Sequence, residues 1–472
     1  MKIRLKREYI VLAAAMVCAV GVLSWVRAAR GEGGEPRYFA ITHARIVPVS
    51  GPVLEDGTVV LARGLIQSVG TNVSIPPEAW VIDGKGLTVY PGLIGAGTDL
   101  GLPKPPASAG GGRPAIATTP TGEPILGPEG RPGTSPWRVA ADEIKIDDKR
   151  IQEWRNAGFT TALTTPDGGI FPGQGTIIDL GGDRAGDFIV KPAATLQVAF
   201  TPIGGLFGFP DSLMGTIAYV RQVFDDTSWY GQAEPVYEAN VTKFERISYD
   251  RTERAIAKAQ SRNEIVLLPA NTSIQILRAL KLTGEWKVPA VIYGGQQAYA
   301  VASAIAAQKM QVLVNLKWPE VAKDADPEAE QTLRDLRFRD RAPSTPAALA
   351  KAGVKFAFYS DGLTGPKDIF KSLKRATDAG LAPEAALRAI TLDAANILGV
   401  DDRMGSIQPG RIANLVMTDG DIFNEKTKVK QVFVDGRWYP IHEEPKPSDK
   451  PGDTKPESAG TSATAVHGEV GR

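Results

Sequence analysis

Residues 87–100 read Leu87-Thr88-Val89-Tyr90-Pro91-Gly92-Leu93-Ile94-Gly95-Ala96-Gly97-Thr98-Asp99-Leu100. The mostly apolar run from Leu87 to Ile94 has the length and composition of one buried strand. It ends on Gly97-Thr98-Asp99, at the carboxyl end where parallel barrels gather their active-site residues. That end carries a carboxylate but no imidazole. The whole chain has three histidines, His43, His442 and His467, and none lies near this strand.

Upstream, residues 37–90 read as short strands and turns punctuated by Gly57, Gly64, Gly84 and Gly86. Phe39 to Val47 is one strand, Gly57 to Val69 a hairpin and Trp80 to Gly86 a further turn. This β layer is too small to be a domain by itself. Before it, Lys2, Arg4, Lys6 and Arg7 precede an apolar run from Ile10 to Val26, and Val26-Arg27-Ala28 suits cleavage after Ala28. Residues 1–30 are therefore expected to be a signal peptide, with a membrane anchor as the alternative, and the protein to be exported to the periplasm or outside the cell. The single cysteine, Cys18, lies in that run, so a cleaved chain has no thiol chemistry.

Downstream, residues 101–136 are rich in Gly, Pro, Ser and Thr and read as a long loop, either a functional cover or disordered. From Trp137 the pattern alternates between helices and apolar strands. Ile151 and Trp154 share a helical face that stops at Gly158, and Thr160 to Thr164 follows as a strand. Glu264 to Leu268 is a strand, and Thr272 to Lys281 a helix with Ile274, Leu277 and Leu280 expected inward. Ala290 to Tyr293 and Val312 to Leu316 are further strands. Thr345-Pro346 opens a helix that Gly353 stops, and Val354 to Tyr359 leads to Asp361-Gly362. Such alternation predicts an α/β fold with a (β/α)8 TIM-like barrel over residues 91–398.

The last structured part, 399–440, returns to β: Asn414 to Thr418, Val429 to Val434, an Asp435-Gly436 turn, and Arg437 to Tyr439. It is expected to complete the β layer begun at residue 37, giving a composite β-sandwich beside the barrel. Residues 441–472 are Pro-, Lys-, Ser- and Gly-rich and read as a disordered tail. Lysine plus arginine (54) balances aspartate plus glutamate (53), so no global field draws the chain to nucleic acid.

Three stretches carry a resemblance. They are Asp83-Gly-Lys-Gly-Leu-Thr-Val-Tyr-Pro-Gly-Leu-Ile, Ala385-Ala-Leu-Arg-Ala-Ile-Thr-Leu-Asp-Ala-Ala-Asn-Ile-Leu-Gly, and Arg403-Met-Gly-Ser-Ile-Gln-Pro-Gly-Arg-Ile-Ala-Asn-Leu-Val-Met-Thr-Asp-Gly followed by Val434-Asp-Gly-Arg. In order and spacing they resemble the amidohydrolase superfamily, in particular its imidazolonepropionase-like branch, over most of residues 37–440. Asn414 departs from it, standing where that family usually has aspartate.

The resemblance implies a metal-dependent hydrolase of non-peptide C–N bonds. A divalent metal, Zn, Mn or Fe, would activate water, with an aspartate at the end of the last strand as base. Carried over position by position, the first-strand histidine pair falls on Gly97 and Asp99. The fifth-strand ligand falls near Leu268-Pro269-Ala270, and the sixth near Tyr293-Gly294-Gly295. None is histidine. The last-strand aspartate alone has a counterpart, Asp361.

Asp361 therefore reads as a catalytic base or as a helix cap before Gly362. Asp99 with Asp361 is the candidate oxygen-donor metal pair, against a solvated loop aspartate. Gly97, Tyr293 and Asn315 are expected to line the pocket. Lys191 before Pro192 suits a turn better than a bridging ligand, and His43 and His442 suit structural or surface roles. The Gly168–Gly175 stretch reads as turns, and Thr201–Pro210 as a cover of the mouth or a partner contact. Two functions stay open. One is a degenerate amidohydrolase that has lost its metal and binds a small molecule or pairs, as a homo- or hetero-oligomer, with a related amidohydrolase. The other is an active hydrolase with a carboxylate-based or metal-free site.

Overall fold

The computed structural model describes residues 38–103, 131–203, 209–321, 326, 330–360, 362–363 and 365–441. Residues 1–37, most of the Gly/Pro stretch, Asp361, His442, His467 and the tail lie outside the described residues.

Two eight-stranded sheets make up the architecture. The first contains β1 (Tyr38–Ile46), β2 (Leu54–Ala62), β3 (Leu65–Gly70), β4 (Trp80–Asp83) and β5 (Thr88–Pro91) from the N-terminal part. The second begins with β6 (Leu93–Thr98) and runs through β7 (Phe159–Thr164), β8 (Gln174–Asp179), β9 (Ile189–Gln197), β10 (Ile265–Ala270), β11 (Ala290–Gly294), β12 (Gln311–Asn315) and β13 (Phe356–Tyr359). The closing strands β14 (Leu415–Thr418), β15 (Val429–Val434) and β16 (Arg437–Pro440) return to the first sheet.

In that first sheet β14 runs antiparallel to β5, with Leu415 opposite Pro91 and Thr418 opposite Thr88. The two ends of the chain thus build one layer, as expected. Its core is the set Phe39, Ile41, Val59, Leu61, Leu415 and Phe433, with the Phe39 and Phe433 rings edge to face at 5.3 Å.

The run Leu87–Ile94, expected as one strand, is divided at Gly92. The Gly92 N–H donates to the Asn414 carbonyl at 2.8 Å. A Cβ at Gly92 would stand 2.0 Å from Thr160 Oγ1. The missing side chain lets the backbone cross from the layer into the barrel against β7.

The second sheet is the TIM-like barrel, in the order β6 to β13. Strand direction departs from uniform alternation. β6 and β7 are parallel, β8 is antiparallel to both β7 and β9, and β9 to β13 are parallel again. The reason is chain length: segments 165–173 and 180–188 are shorter than the dozen or so residues a parallel crossover needs. Each connection therefore reverses the chain.

Ile94, Ala96, Leu163, Ile177, Leu267, Val291, Leu313 and Ala357 pack in one cluster along the barrel strands. Helix Leu392–Leu398 joins that cluster from the amino-terminal end of the strands, adding Ala394, Ala395, Ile397 and Leu398. The opposite end is left as the mouth. Between β13 and β6 no ladder forms among the described residues; there Ser360 Oγ donates to the Gly97 carbonyl at 3.3 Å.

Helices cover the outside. Helix Lys149–Asn156 buries Ile151 and Trp154, as expected, and Asp148 caps its start. A long helix, Leu213–Ala239, places Tyr219, Val220, Val223 and Phe224 over Leu196 of β9, Val198 just beyond it, and Val266 and Leu268 of β10. Helix Ser273–Trp286 lies with a different face inward than expected. Leu280 is buried with Ile276, Ala279 and Leu282, while Ile274 and Leu277 are exposed.

Candidate functional site

The carboxyl ends of the barrel strands surround a pocket of about 320 Å³. Thr98 and Asp99 reach it from the end of β6, Thr165 from β7, Gln197 from β9, Tyr293 from β11 and Tyr359 from β13. Arg138, Glu143 and Asp167 line it from the connecting segments.

Gly97 sits at the seam between the first and last strands. Its φ of +104° is one that a residue with a side chain rarely adopts. A Cβ there would lie 2.1 Å from Tyr359 Cδ2. The Tyr359 ring thus fills the space into which a side chain at position 97 would project. The Tyr293 ring lies beside it, centroids 5.4 Å apart and tilted by 49°. The Tyr293 hydroxyl donates to the Val198 carbonyl at 3.1 Å.

Asp99 is held from outside the barrel. Its Oδ1 accepts from Arg150 Nη1 at 2.6 Å and its carbonyl from Arg150 Nη2 at 3.0 Å. The same guanidinium pairs with Asp148, Nη2 to Oδ2 at 2.8 Å. Burial pushes the Asp148 carboxyl up, but hydrogen bonds from Arg150 and from the Gly101 N–H outweigh it and hold the group below the usual carboxylate range. Asp148 stays ionised at neutral pH and keeps Arg150 in place over Asp99.

Asn315 lies at the end of β12, and its Oδ1 accepts from the Lys317 N–H at 2.7 Å. Gln197 is different. Its side chain is 8% exposed, and its Oε1 has no hydrogen-bond partner among the described residues. Leu196 of β9 and Val198 just beyond its end pack outward under the long helix, so by strand alternation Thr195 and Gln197 point the other way. Arg138 and Glu143 form a bidentate pair on the rim, Nε to Oε1 at 2.9 Å and Nη2 to Oε2 at 2.8 Å.

Among the described residues, the positions to which the resemblance assigned metal ligands do not make a donor set for a divalent metal. Position 97 has no side chain and is covered by a ring. Pro269 and Ala270 end β10, Tyr293 spends its hydroxyl proton on a carbonyl, and Asp99 is occupied by an arginine. Among the described residues no three His, Cys, Asp or Glu side chains come together to hold an ion. Asp361, the candidate base and second donor, is outside the described residues.

Other candidates lie elsewhere. Lys191 is near the start of β9, at the end opposite the mouth. His43 is on the first sheet, exposed, with Nδ1 3.4 Å from Asp83 Oδ1. Of the residues expected from the sequence, Asp99 and Tyr293 line this pocket, whereas Gly97 lies under the Tyr359 ring and Asn315 is not among the lining residues; Tyr359, Gln197 and Arg150 were not expected. A signal for Gln197 was present in the alternation Ala194-Thr195-Leu196-Gln197-Val198.

Comparison with known proteins gives a consistent picture. Residues 316–439 match the sequence model of the amidohydrolase family. Adenine deaminases from two strains of Clostridium botulinum (Loch Maree / Type A3, and 657 / Type Ba4) are 29% identical over 92 residues, 18% of this chain. That match spans only 15% of the deaminases' own length. The barrel and its accompanying layer superpose on an amidohydrolase from Thermotoga maritima MSB8 with a TM-score of 0.70 at 24% identity, covering 85% of this chain and 100% of that one. A prolidase complexed with N-methylphosphonate-L-proline superposes with a TM-score of 0.52 at 21% identity, covering 86% of this chain and 100% of that one. The fold over 85% of the chain is thus the one seen in the Thermotoga maritima amidohydrolase, and the C-terminal segment, residues 316–439, carries the match to the amidohydrolase family.

Proposed function

We propose that this chain is an exported amidohydrolase-fold protein that no longer carries out metal-dependent hydrolysis. It instead binds a small molecule at the barrel mouth, alone or as the partner of a metal-loaded relative. The observation that carries this reading is the Tyr359 ring lying where a side chain at position 97 would have to go. A metal hydrolase needs several donors converging on one ion and an open coordination position for water. Here one donor position is covered and another, Asp99, is neutralised by Arg150.

The test is turnover. The purified chain is offered cyclic amides, aminopurines and Xaa-Pro dipeptides with zinc, manganese or iron(II) supplied. The reading predicts no hydrolysis above the metal-only control. Turnover that a chelator abolishes and Asp361→Asn removes would overturn it and favour the carboxylate-based hydrolase. Export is tested separately: N-terminal sequencing of the secreted protein should begin at Ala29.

A further inference from the structure

We infer that the barrel mouth is a site for a small organic cation bearing N–H donors, of the arylamidinium or alkylammonium kind. This rests on the reading that the mouth binds a ligand in place of coordinating a metal. Three features of the pocket converge on that chemistry.

The first is the Gln197 Oε1. The Gln197 side chain lines the pocket, and its Oε1 is buried with no donor among the described residues; a rotation of the terminal amide that turns this oxygen into the pocket would let it accept a ligand N–H. The second is charge. The pocket is lined by three carboxylates, Asp99, Glu143 and Asp167, against one arginine, Arg138. Arg138 is taken by Glu143 and Arg150 neutralises Asp99. Asp167 lines the rim with no lysine or arginine partner among the described residues, its Oδ1 accepting only the Gly168 N–H. The third is aromatic surface. Tyr293 and Tyr359 both line the pocket, and tyrosine rings attract organic cations through their quadrupole. An anion would meet an acceptor and an unpaired carboxylate, whereas a cation with donors meets the Asp167 carboxylate and the two tyrosine rings.

The volume of about 320 Å³ suits a ligand of one ring with a charged head. The probes are benzamidine and benzoate, which share shape and size and differ in the sign of the head group. Binding to the full chain is measured by titration calorimetry with EDTA present, so that metal plays no part in the readout.

Benzamidine should bind with a one-to-one stoichiometry, and benzoate at the same concentrations should give no heat. Gln197→Leu should weaken benzamidine about tenfold or more, through loss of a hydrogen bond to a charged group. Asp167→Asn, at an exposed rim position, should weaken it by a smaller factor with the melting temperature unchanged. Benzoate binding as well as benzamidine, benzamidine failing to bind up to millimolar concentration, or both variants binding like the parent would each overturn the inference. Metal content is read independently. If the chain retains metal yet prefers benzamidine, the metal-loss reading fails and the ligand assignment stands.

Discussion

Tyr359 and Gly97 occupy one volume at the seam of the barrel: a Cβ on residue 97 would be 2.1 Å from the ring's Cδ2. Either residue 97 has a side chain or residue 359 has its ring in this position. The pair closes the gap between the first and last strands, where Ser360 Oγ to the Gly97 carbonyl is the hydrogen bond that joins them.

Gly97→Ala should therefore destabilise the fold by about 3 kcal/mol, combining backbone strain at positive φ with overpacking. Tyr359→Ala in the same chain should recover part of that loss by removing the ring, but not the part owed to φ. Denaturant unfolding of the two single variants and the double variant gives the coupling directly. Additive losses would mean that the two residues do not compete for space.

Asn414 answers the departure noted in the sequence. Its Nδ2 donates to Asp179 Oδ1 at 2.9 Å, and Thr161 Oγ1 donates to the same oxygen at 2.7 Å. Burial pushes the Asp179 carboxyl up to about 7, with the nearby Asp435 adding to the rise and the two hydrogen bonds opposing it. A folded-state value above the unfolded one means that the native state holds a proton the unfolded chain has lost. Stability from this group is complete below about pH 4 and declines as pH rises through 7. Asp179→Asn should flatten that decline, by on the order of 4 kcal/mol between pH 4 and 8. Asn414→Asp would set a second carboxylate beside the first. It should lower the melting temperature most at pH 8 and progressively less toward pH 4.

Arg131 anchors the segment before β7 to the outer helices. Its Nη2 lies 3.0 Å from Asp250 and 2.6 Å from Glu253, and its Nη1 3.3 Å from Asp226. Burial, then Asp250, pushes Glu253 up to about 7 even with the arginine in place. Arg131→Met would leave three acids facing one another. The expected loss is about 3 kcal/mol at pH 8, above the value of about 7 at which Glu253 gives up its proton in the parent. It should be smaller near pH 5, where Glu253 is protonated. Thermal melts of parent and variant at the two pH values check this; equal losses would contradict it.

Much of the fold was legible because the relevant signals are local. The β6 run and the closing segment from Ala385 carry apolar strands and glycine stops that need no knowledge of the rest of the chain. On β9 the alternation was present in the sequence but its sense was not, since β9 turns Thr195 and Gln197 away from the helix that buries Leu196 and Val198. Periodicity alone would place the apolar face toward the barrel interior. Helix Leu213–Ala239 was hidden because Gly215, Gly231 and Pro235 interrupt it and its apolar residues lie on all sides. At the site, strand ends marked Gly97, Asp99 and Tyr293. What covers or neutralises them, Tyr359 and Arg150, comes from distant segments and is set by tertiary packing alone.

By the function proposed above, the mouth holds no catalytic metal. The most direct test is the metal content of the mature chain, measured by plasma mass spectrometry after exposure to zinc, manganese and iron(II) and then dialysis. Far less than one metal per chain is expected for each ion. A stoichiometric metal lost on Asp361→Asn or Asp99→Asn would contradict it and place an oxygen-donor metal centre at the mouth.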